Sequence, residues 1–126
     1  MTGNRGQALP PGWPEQVRPP GTADWEQSAV AWLFDQCPPD YRAYDVLRRH
    51  PLVLARFAAS CLDGAVTAAA TGLRTVRAEL RERVPPEAVE GAVAAYEREG
   101  NRLKTARRAV DLVERALRGE RWVPRL

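Results

Sequence analysis

The feature that most constrains this chain is a break at residues 84–87, which contains two consecutive prolines. Proline cannot continue a helix, because it lacks the backbone N–H and its ring clashes with the preceding turn. On either side of the break, apolar residues recur every three or four positions over about 30 residues. The sequence therefore predicts two long helices, over residues 51–83 and 87–118, folded back on each other about a hinge at 84–87.

A shorter helix and a proline-rich arm precede this hairpin. Residues 1–23 are rich in proline and glycine, so we expect a partly disordered arm, tied down where Trp13 and Val17 pack onto the body. The pattern over residues 24–36 predicts an amphipathic helix with an aspartate as its N-cap. Residues 24–126 are expected to form a single all-α domain, in which this helix packs across the open end of a coiled-coil-like antiparallel hairpin.

Folding the chain at the prolines predicts a pairing between the two arms. It places Val76 opposite Tyr96 and Gly72 opposite Gly100. A glycine inside a helix costs up to about 1 kcal/mol relative to alanine. Two glycines at one level therefore indicate either a close crossing of the arms or a kink at Gly100 and Asn101.

Charge, cysteine content and hydropathy indicate in which cellular compartment the protein is expected. The net charge is +3, and Lys104 is the only lysine beside many arginines. The amino-terminal residues contain no apolar segment typical of a signal peptide, and two cysteines are too few for a disulfide scaffold. The most apolar stretch, residues 52–73, includes Arg56 and Asp63, so it is not predicted to span a membrane. We expect a reduced, cytoplasmic protein.

The chain offers few residues for catalysis. Its single histidine, His50, has no second metal ligand at a suitable spacing. Neither Cys37 nor Cys61 has a neighbouring histidine in the sequence, and there is no phosphate-binding loop or nucleophile motif. No enzymatic activity, cofactor or metal is predicted.

One candidate binding set lies on the second long helix, where basic side chains could contact phosphates. Its members are Arg102, Lys104, Arg108, Arg115 and Arg118. Acidic residues interrupt the set, so a solvated helix face is favoured and nucleic acid is not the expected partner.

A second candidate set is aromatic and falls mostly outside the long arms. Its members are Trp13, Trp25, Trp32, Tyr41, Tyr44 and Trp122. We predict that they form one aromatic nucleus at the open end of the hairpin. The nucleus is either a core that seals a thin bundle or a groove for a partner, because tryptophan and tyrosine dominate interface hot spots.

The predicted architecture leaves the hinge end without a third helix. Each arm has an apolar face wider than its partner can cover, so a second copy could complete a four-helix bundle. We therefore predict a non-enzymatic protein-interaction or assembly module that forms a homodimer. The alternatives are a nucleic-acid-associated accessory protein that uses the arginine-rich helix, and a small-molecule binder or enzyme with a pocket under the aromatic cluster.

Two stretches carry a resemblance. The segment from Asp24-Trp25-Glu26 through Cys37-Pro38-Pro39-Asp40-Tyr41, together with the ending Val123-Pro124-Arg125-Leu126, resembles small helical proteins of uncharacterised function encoded in high-GC bacterial genomes. The likeness covers most of the chain after residue 12. It implies a bacterial, cytoplasmic setting and assigns no site residues.

Overall fold

The computed structural model describes residues 8–125, and within that range the regular structure is entirely helical. The predicted disorder of the first residues falls largely outside the described range. The elements are α1 (Trp25–Asp35), a 3-10 helix (Pro39–Ala43), α2 (Asp45–Arg49), α3 (Pro51–Leu80) and α4 (Pro86–Leu117). Helices α3 and α4 pack against each other as a long hairpin, and α1 lies mainly on α3. The predicted all-α fold, a long hairpin with a shorter N-terminal helix, is confirmed.

The turn between the arms spans residues 81–85 rather than the predicted 84–87. The backbone N–H groups of Arg83 and Val84 donate to the Leu80 carbonyl at 2.8 and 3.1 Å, which closes the end of α3. Pro85 is the N-cap of α4 and Pro86 is its first residue. At that position the missing N–H costs nothing, since it would have no helical partner. The two prolines therefore begin α4 instead of forming the apex of the turn.

This earlier turn shifts the pairing of the arms by about one helical turn from the prediction. Gly72, rather than Val76, lies against Tyr96: a Cβ added at Gly72 would stand 2.7 Å from the Tyr96 hydroxyl. The same added atom at Gly100 would have no neighbour within 4 Å, and α4 continues through this residue as a helix. The predicted crossing of Gly72 and Gly100 is therefore wrong.

Ion pairs across the hairpin agree with this register. Near the turn, the Arg77 guanidinium contacts Glu90 through two hydrogen bonds of 2.9 and 3.1 Å. Further along, Arg107 Nε lies 2.9 Å from Asp63 Oδ1. Arg77, Glu90 and Asp63 are largely exposed and Arg107 is about one-third exposed, so each pair contributes at most about 1 kcal/mol. They indicate the register rather than determine it.

The core lies at the open end, where α1, α2 and the N-terminal half of α3 meet the C-terminal half of α4. The largest fully buried side chains there are Leu33, Leu47, Leu54, Val110 and Val113. All the buried side chains in the described range are apolar. The N-terminal arm belongs to this core, because Val17 is only 2% exposed and its carbonyl accepts a hydrogen bond of 2.8 Å from Trp13 Nε1.

Helix α1 begins without the predicted aspartate cap. Asp24 occupies the N-cap position but makes no capping hydrogen bond with its side chain. Its carboxylate instead lies 3.6 Å from Arg18 Nε, and the Ser28 hydroxyl accepts a hydrogen bond of 2.9 Å from the Arg18 backbone N–H. The arm and the first turn of α1 thus satisfy each other's polar groups.

Helix α3 is long and apolar enough, by length and composition, to cross a membrane. Its most apolar window of 18 residues has a mean hydropathy of 1.4, and 33% of that window is buried inside the protein. The core helix of a soluble protein passes the same test, so this property alone does not place α3 in a bilayer.

Candidate functional site

One face of α3 is uncharged along its whole length and points away from α4. We call these residues the α3 outer face: Val53, Phe57, Ser60, Gly64, Thr67, Ala68, Thr71, Thr75 and Ala78. Their spacing of three and four residues keeps them on one side of the helix over about seven turns. From Ser60 to Thr71 every member is exposed. The neighbouring charged residues Arg56, Asp63 and Arg74 recur at helical spacing on a single flank beside this face.

Gly64 lies near the middle of the α3 outer face and has no role within the chain that requires glycine. It sits in the helix interior, and an added Cβ would find no atom within 4 Å. Alanine at this position would stabilise the helix by about 1 kcal/mol. Without a side chain at Gly64, the helix backbone itself is exposed at this point of the face.

The exposed face of α4 has the opposite character. It carries alternating acidic and basic side chains, several of which are paired along the helix, as in Arg102 with Glu99 and Arg118 with Glu114. The hydrogen bond between Arg102 and Glu99 raises the pKa of the arginine and lowers that of the glutamate. Such a surface is well solvated, so α3 rather than α4 presents the uncovered face of the hairpin.

The predicted phosphate-binding residues are mostly engaged with neighbours. Arg102, Arg115 and Arg118 each form an ion pair with an acidic residue on α4, the Arg115 pair with Asp111 at 3.3 Å. Arg108 donates a hydrogen bond to the Thr105 hydroxyl at 3.4 Å. Lys104 lies apart, along a shallow groove beside Tyr96. A phosphate would have to compete with three ion pairs, which does not favour a nucleic-acid surface here.

The six predicted aromatic residues do not share one nucleus. Trp32 is a core residue, only 7% exposed. Trp13, Trp25 and Trp122 line a cavity of about 720 Å³ between the N-terminal arm and the end of α4, which we call the terminal pocket. Tyr41 stacks edge-on with Tyr44 at 5.7 Å and with Phe57 at 6.0 Å between ring centroids. This tyrosine cluster therefore adjoins the start of the α3 outer face.

The residues considered for metal binding or catalysis remain separate. His50 is exposed at the N-cap position of α3 and makes no capping hydrogen bond with its side chain. Within the described range, no group of three or more histidine, cysteine, aspartate or glutamate side chains could hold a metal ion. Both cysteines are free thiols, Cys37 buried and Cys61 partly buried.

Sequence reasoning identified the apolar row of α3 that faces α4 but missed the uncharged row behind it. The signal in the sequence was the lack of charged residues at positions 53, 57, 60, 64, 67, 68, 71, 75 and 78. Small and hydroxylated residues do not stand out in a search for apolar periodicity, because they are common on solvated surfaces.

Searches of protein-family models, of curated proteins and of solved structures find no match to this chain. What the fold and its surfaces define is a helical-hairpin protein with one uncovered, uncharged helix face.

Proposed function

We propose that this protein is a non-enzymatic assembly module, which associates with a second copy of itself through the α3 outer face. The observation that carries the proposal is the uninterrupted lack of charge along that face, opposite the contact with α4. Two hairpins joined there would form a layer of four helices, with the two α3 helices in contact at its centre and the charged face of each α4 outside.

Self-association is favoured over a different partner by the chemistry of the face. In a two-fold contact each residue meets its own counterpart or that of a neighbour, so a charged face would bring like charges together. The α3 outer face avoids this cost because its nine members are uncharged. Its small side chains, such as Gly64 and Ala68, also allow two helix axes to approach toward the short end of the usual 8–10 Å range.

The face is long enough for a stable contact. From Val53 to Ala78 it extends about 38 Å at 1.5 Å per residue. The tyrosine cluster with Phe57, which is 41% exposed, lies at one end of the face. These larger apolar groups would supply most of the buried area, since apolar burial contributes about 25 cal/mol per Å².

The test compares two alanine-to-glutamate variants by sedimentation at micromolar concentration. Ala68→Glu introduces a charge in the centre of the α3 outer face, whereas Ala94→Glu makes the same change on the exposed side of α4. We expect the wild-type chain and Ala94→Glu to sediment near twice the 14.0 kDa of one chain, and Ala68→Glu near 14.0 kDa. Circular dichroism checks that both variants stay helical.

Either of two sedimentation results would contradict this proposal. One is a wild-type chain that sediments at 14.0 kDa over the whole concentration range. The other is a dimer that survives Ala68→Glu. If instead the chain bound lipid vesicles and Ala68→Glu abolished that binding, the face would be a lipid surface and the assembly proposal would be wrong.

The terminal pocket favours a second candidate function, the binding of a small aromatic anion. Its volume of about 720 Å³ falls within the range of ligand pockets, roughly 300–1,000 Å³. Trp25 and Trp122 offer aromatic surfaces, and Arg121 contributes a positive charge. An aromatic sulfonate dye should then bind to the folded chain at one site per chain, and Trp122→Ala should weaken it. Equal binding by both proteins would exclude this pocket.

A further inference from the structure

Helix α3 carries five charged residues, and three of them lie on one side of the α3 outer face. These three are Arg56, Asp63 and Arg74, which we call the charged flank. Of the other two, Arg77 forms an ion pair with α4, and Glu79 lies on the opposite flank of the face. Residues placed beside a helix contact in this way are the ones that form ion pairs between the helices of coiled coils.

Asp63 and Arg74 both retain exposed charge within one chain. The Asp63 carboxylate lies 2.9 Å from Arg107 Nε, but the aspartate side chain is 64% exposed, and a carboxylate accepts several hydrogen bonds. The Arg74 guanidinium has one hydrogen bond to a described residue, the Thr71 hydroxyl, at 3.5 Å. Asp63 and Arg74 are separated by about 16 Å along α3, so they do not pair with each other within one chain.

The direction of a partner helix determines which flanks meet. In a two-fold contact between parallel helices, the charged flank meets the opposite flank of its partner, where Glu79 is the only charged residue of α3, so Asp63 has no basic counterpart. In an antiparallel contact each flank meets the same flank of its partner in reverse order. Asp63 then lies level with the partner's Arg74, and Arg74 with the partner's Asp63, when the two-fold axis passes between Ala68 and Ala69.

The spacing of the α3 outer face indicates nearly the same centre. From Phe57 to Ala78 its members follow one another at intervals of 3, 4, 3, 1, 3, 4 and 3 residues, which read the same in both directions. The middle of this pattern lies about 1.5 Å along the helix from the centre that the charges define. In an antiparallel contact Phe57 meets the partner's Ala78, and Thr71 meets the partner's Gly64. In both contacts a larger side chain faces a smaller one.

Arg56, at the end of the charged flank, meets both signs of charge in this arrangement. It lies level with the partner's Arg81, which follows the end of α3, and Glu82 is the next residue. All three side chains are exposed, so solvent and salt screen the approach of the two arginines.

We propose that two copies of the chain associate through antiparallel α3 helices, and that Asp63 and Arg74 form two symmetric ion pairs across the contact. This orientation rests on the self-association proposed for the α3 outer face, and it adds the direction of the partner and the residues that select it. Because Arg107 already contacts Asp63, the carboxylate would lie between two guanidinium groups. Ion pairs at the edge of an interface fix its register more than its affinity.

Charge reversal tests the ion pairs by sedimentation over a range of micromolar concentrations. Asp63→Arg and Arg74→Asp should each raise the dimer Kd at least tenfold, because each change places like charges together at two symmetric sites. The double variant, Asp63→Arg with Arg74→Asp, should return the Kd to within about threefold of the wild-type value.

A matched control carries the same net charge as the double variant. Asp63→Arg combined with Arg98→Asp moves the compensating charge to the exposed side of α4, so its Kd should stay as high as that of Asp63→Arg alone. Asp63→Arg also removes the pair with Arg107 in every variant that contains it. Recovery in the double variant therefore reports the contact between chains.

The distance between two spin labels tests the orientation with Asp63 and Arg74 in place. Arg83→Cys places a label in the turn, and Cys61→Ser removes the more exposed of the natural thiols, since Cys37 is buried. Position 83 lies roughly 15 residues from the two-fold axis, so the labels of an antiparallel dimer should be about 40–45 Å apart. In a parallel dimer they would lie within about 20 Å.

The possible results separate this orientation from self-association itself. A wild-type chain that stays at 14.0 kDa would overturn both. A dimer whose Kd is unchanged by the single reversals, or is not recovered in the double variant, would overturn the ion pairs. Labels within about 20 Å would overturn the antiparallel direction. In the last two cases the α3 outer face would still be the interface.

Discussion

At the scale of single residues, Gly72 leaves space on α3 for a side chain of α4. A Cβ there would overlap the end of the Tyr96 ring, including the hydroxyl at 2.7 Å. Gly72 thus forms a hollow on α3 that receives an aromatic side chain from α4. The glycine costs the helix about 1 kcal/mol, which the seated ring must offset. This contact, rather than a pair of glycines, marks the close approach of the two arms.

The first prediction is that the effect of Gly72→Ala on the unfolding free energy changes sign when the Tyr96 side chain is removed. Gly72→Ala should destabilise the wild-type chain by about 1 kcal/mol, because the added methyl group displaces Tyr96. In a Tyr96→Ala background the same change should stabilise the chain by about 0.5–1 kcal/mol, through helix propensity alone. Urea unfolding measures all four proteins. Equal effects of Gly72→Ala in both backgrounds would show that the ring and the glycine are not coupled.

At the scale of elements, the register of the hairpin depends on side-chain packing between α3 and α4. The turn at 81–85 is exposed for most of its length, and only Val84 within it is partly buried. Val76, Val89 and Val93, by contrast, are each at least 93% buried between the arms near the hinge. The packed residues, and not the turn, should therefore be sensitive to a change in chain length.

Two one-residue insertions test whether side-chain packing or the turn sets the register of α3 against α4. An alanine inserted after Ala70 rotates the following part of α3 by about 100° relative to the preceding part, and the valines near the hinge lose their contacts. We expect a loss of about 3 kcal/mol or more in unfolding free energy. A glycine inserted after Arg83 lengthens only the turn and should cost less than about 1 kcal/mol. A larger cost for the turn insertion would mean that the turn sets the register.

At the scale of the whole molecule, the stability of one chain favours alanine at position 64, whereas the proposed dimer favours glycine. Within one chain, alanine is the better residue, since nothing lies within 4 Å of the added Cβ. In the proposed dimer the same methyl group enters a close contact between two α3 helices. Gly91, on the exposed side of α4, is equally open but lies away from the α3 outer face.

Gly64→Ala and Gly91→Ala should therefore behave alike in the monomer and differently in the dimer. In the monomeric Ala68→Glu background, both changes should raise the unfolding free energy by about 0.5–1 kcal/mol. In the otherwise wild-type chain, Gly64→Ala should raise the dimer Kd roughly tenfold, whereas Gly91→Ala should leave it unchanged. Chemical denaturation and sedimentation give the two quantities. An identical Kd for both variants would place Gly64 outside the interface.

The helices themselves were predictable because their signals are local. Apolar periodicity identifies α3 and α4 to within about three residues, and consecutive prolines require a break between them. The same prolines misled the prediction of the turn, because proline is as well suited to the first residue of a helix as to a loop. A sequence pattern cannot distinguish these positions without knowing where the preceding helix ends.

Only the tertiary structure decided the properties that depend on which helix faces pack against each other. Two such properties are the register of α3 against α4 and the division of the aromatic residues between core, terminal pocket and tyrosine cluster. Both involve positions that are distant in the sequence. The α3 outer face likewise became a candidate site only when its opposite side was seen packed against α4. Local patterns determine that a helix forms and which sides are apolar, whereas the neighbours it acquires depend on the packing of the entire chain.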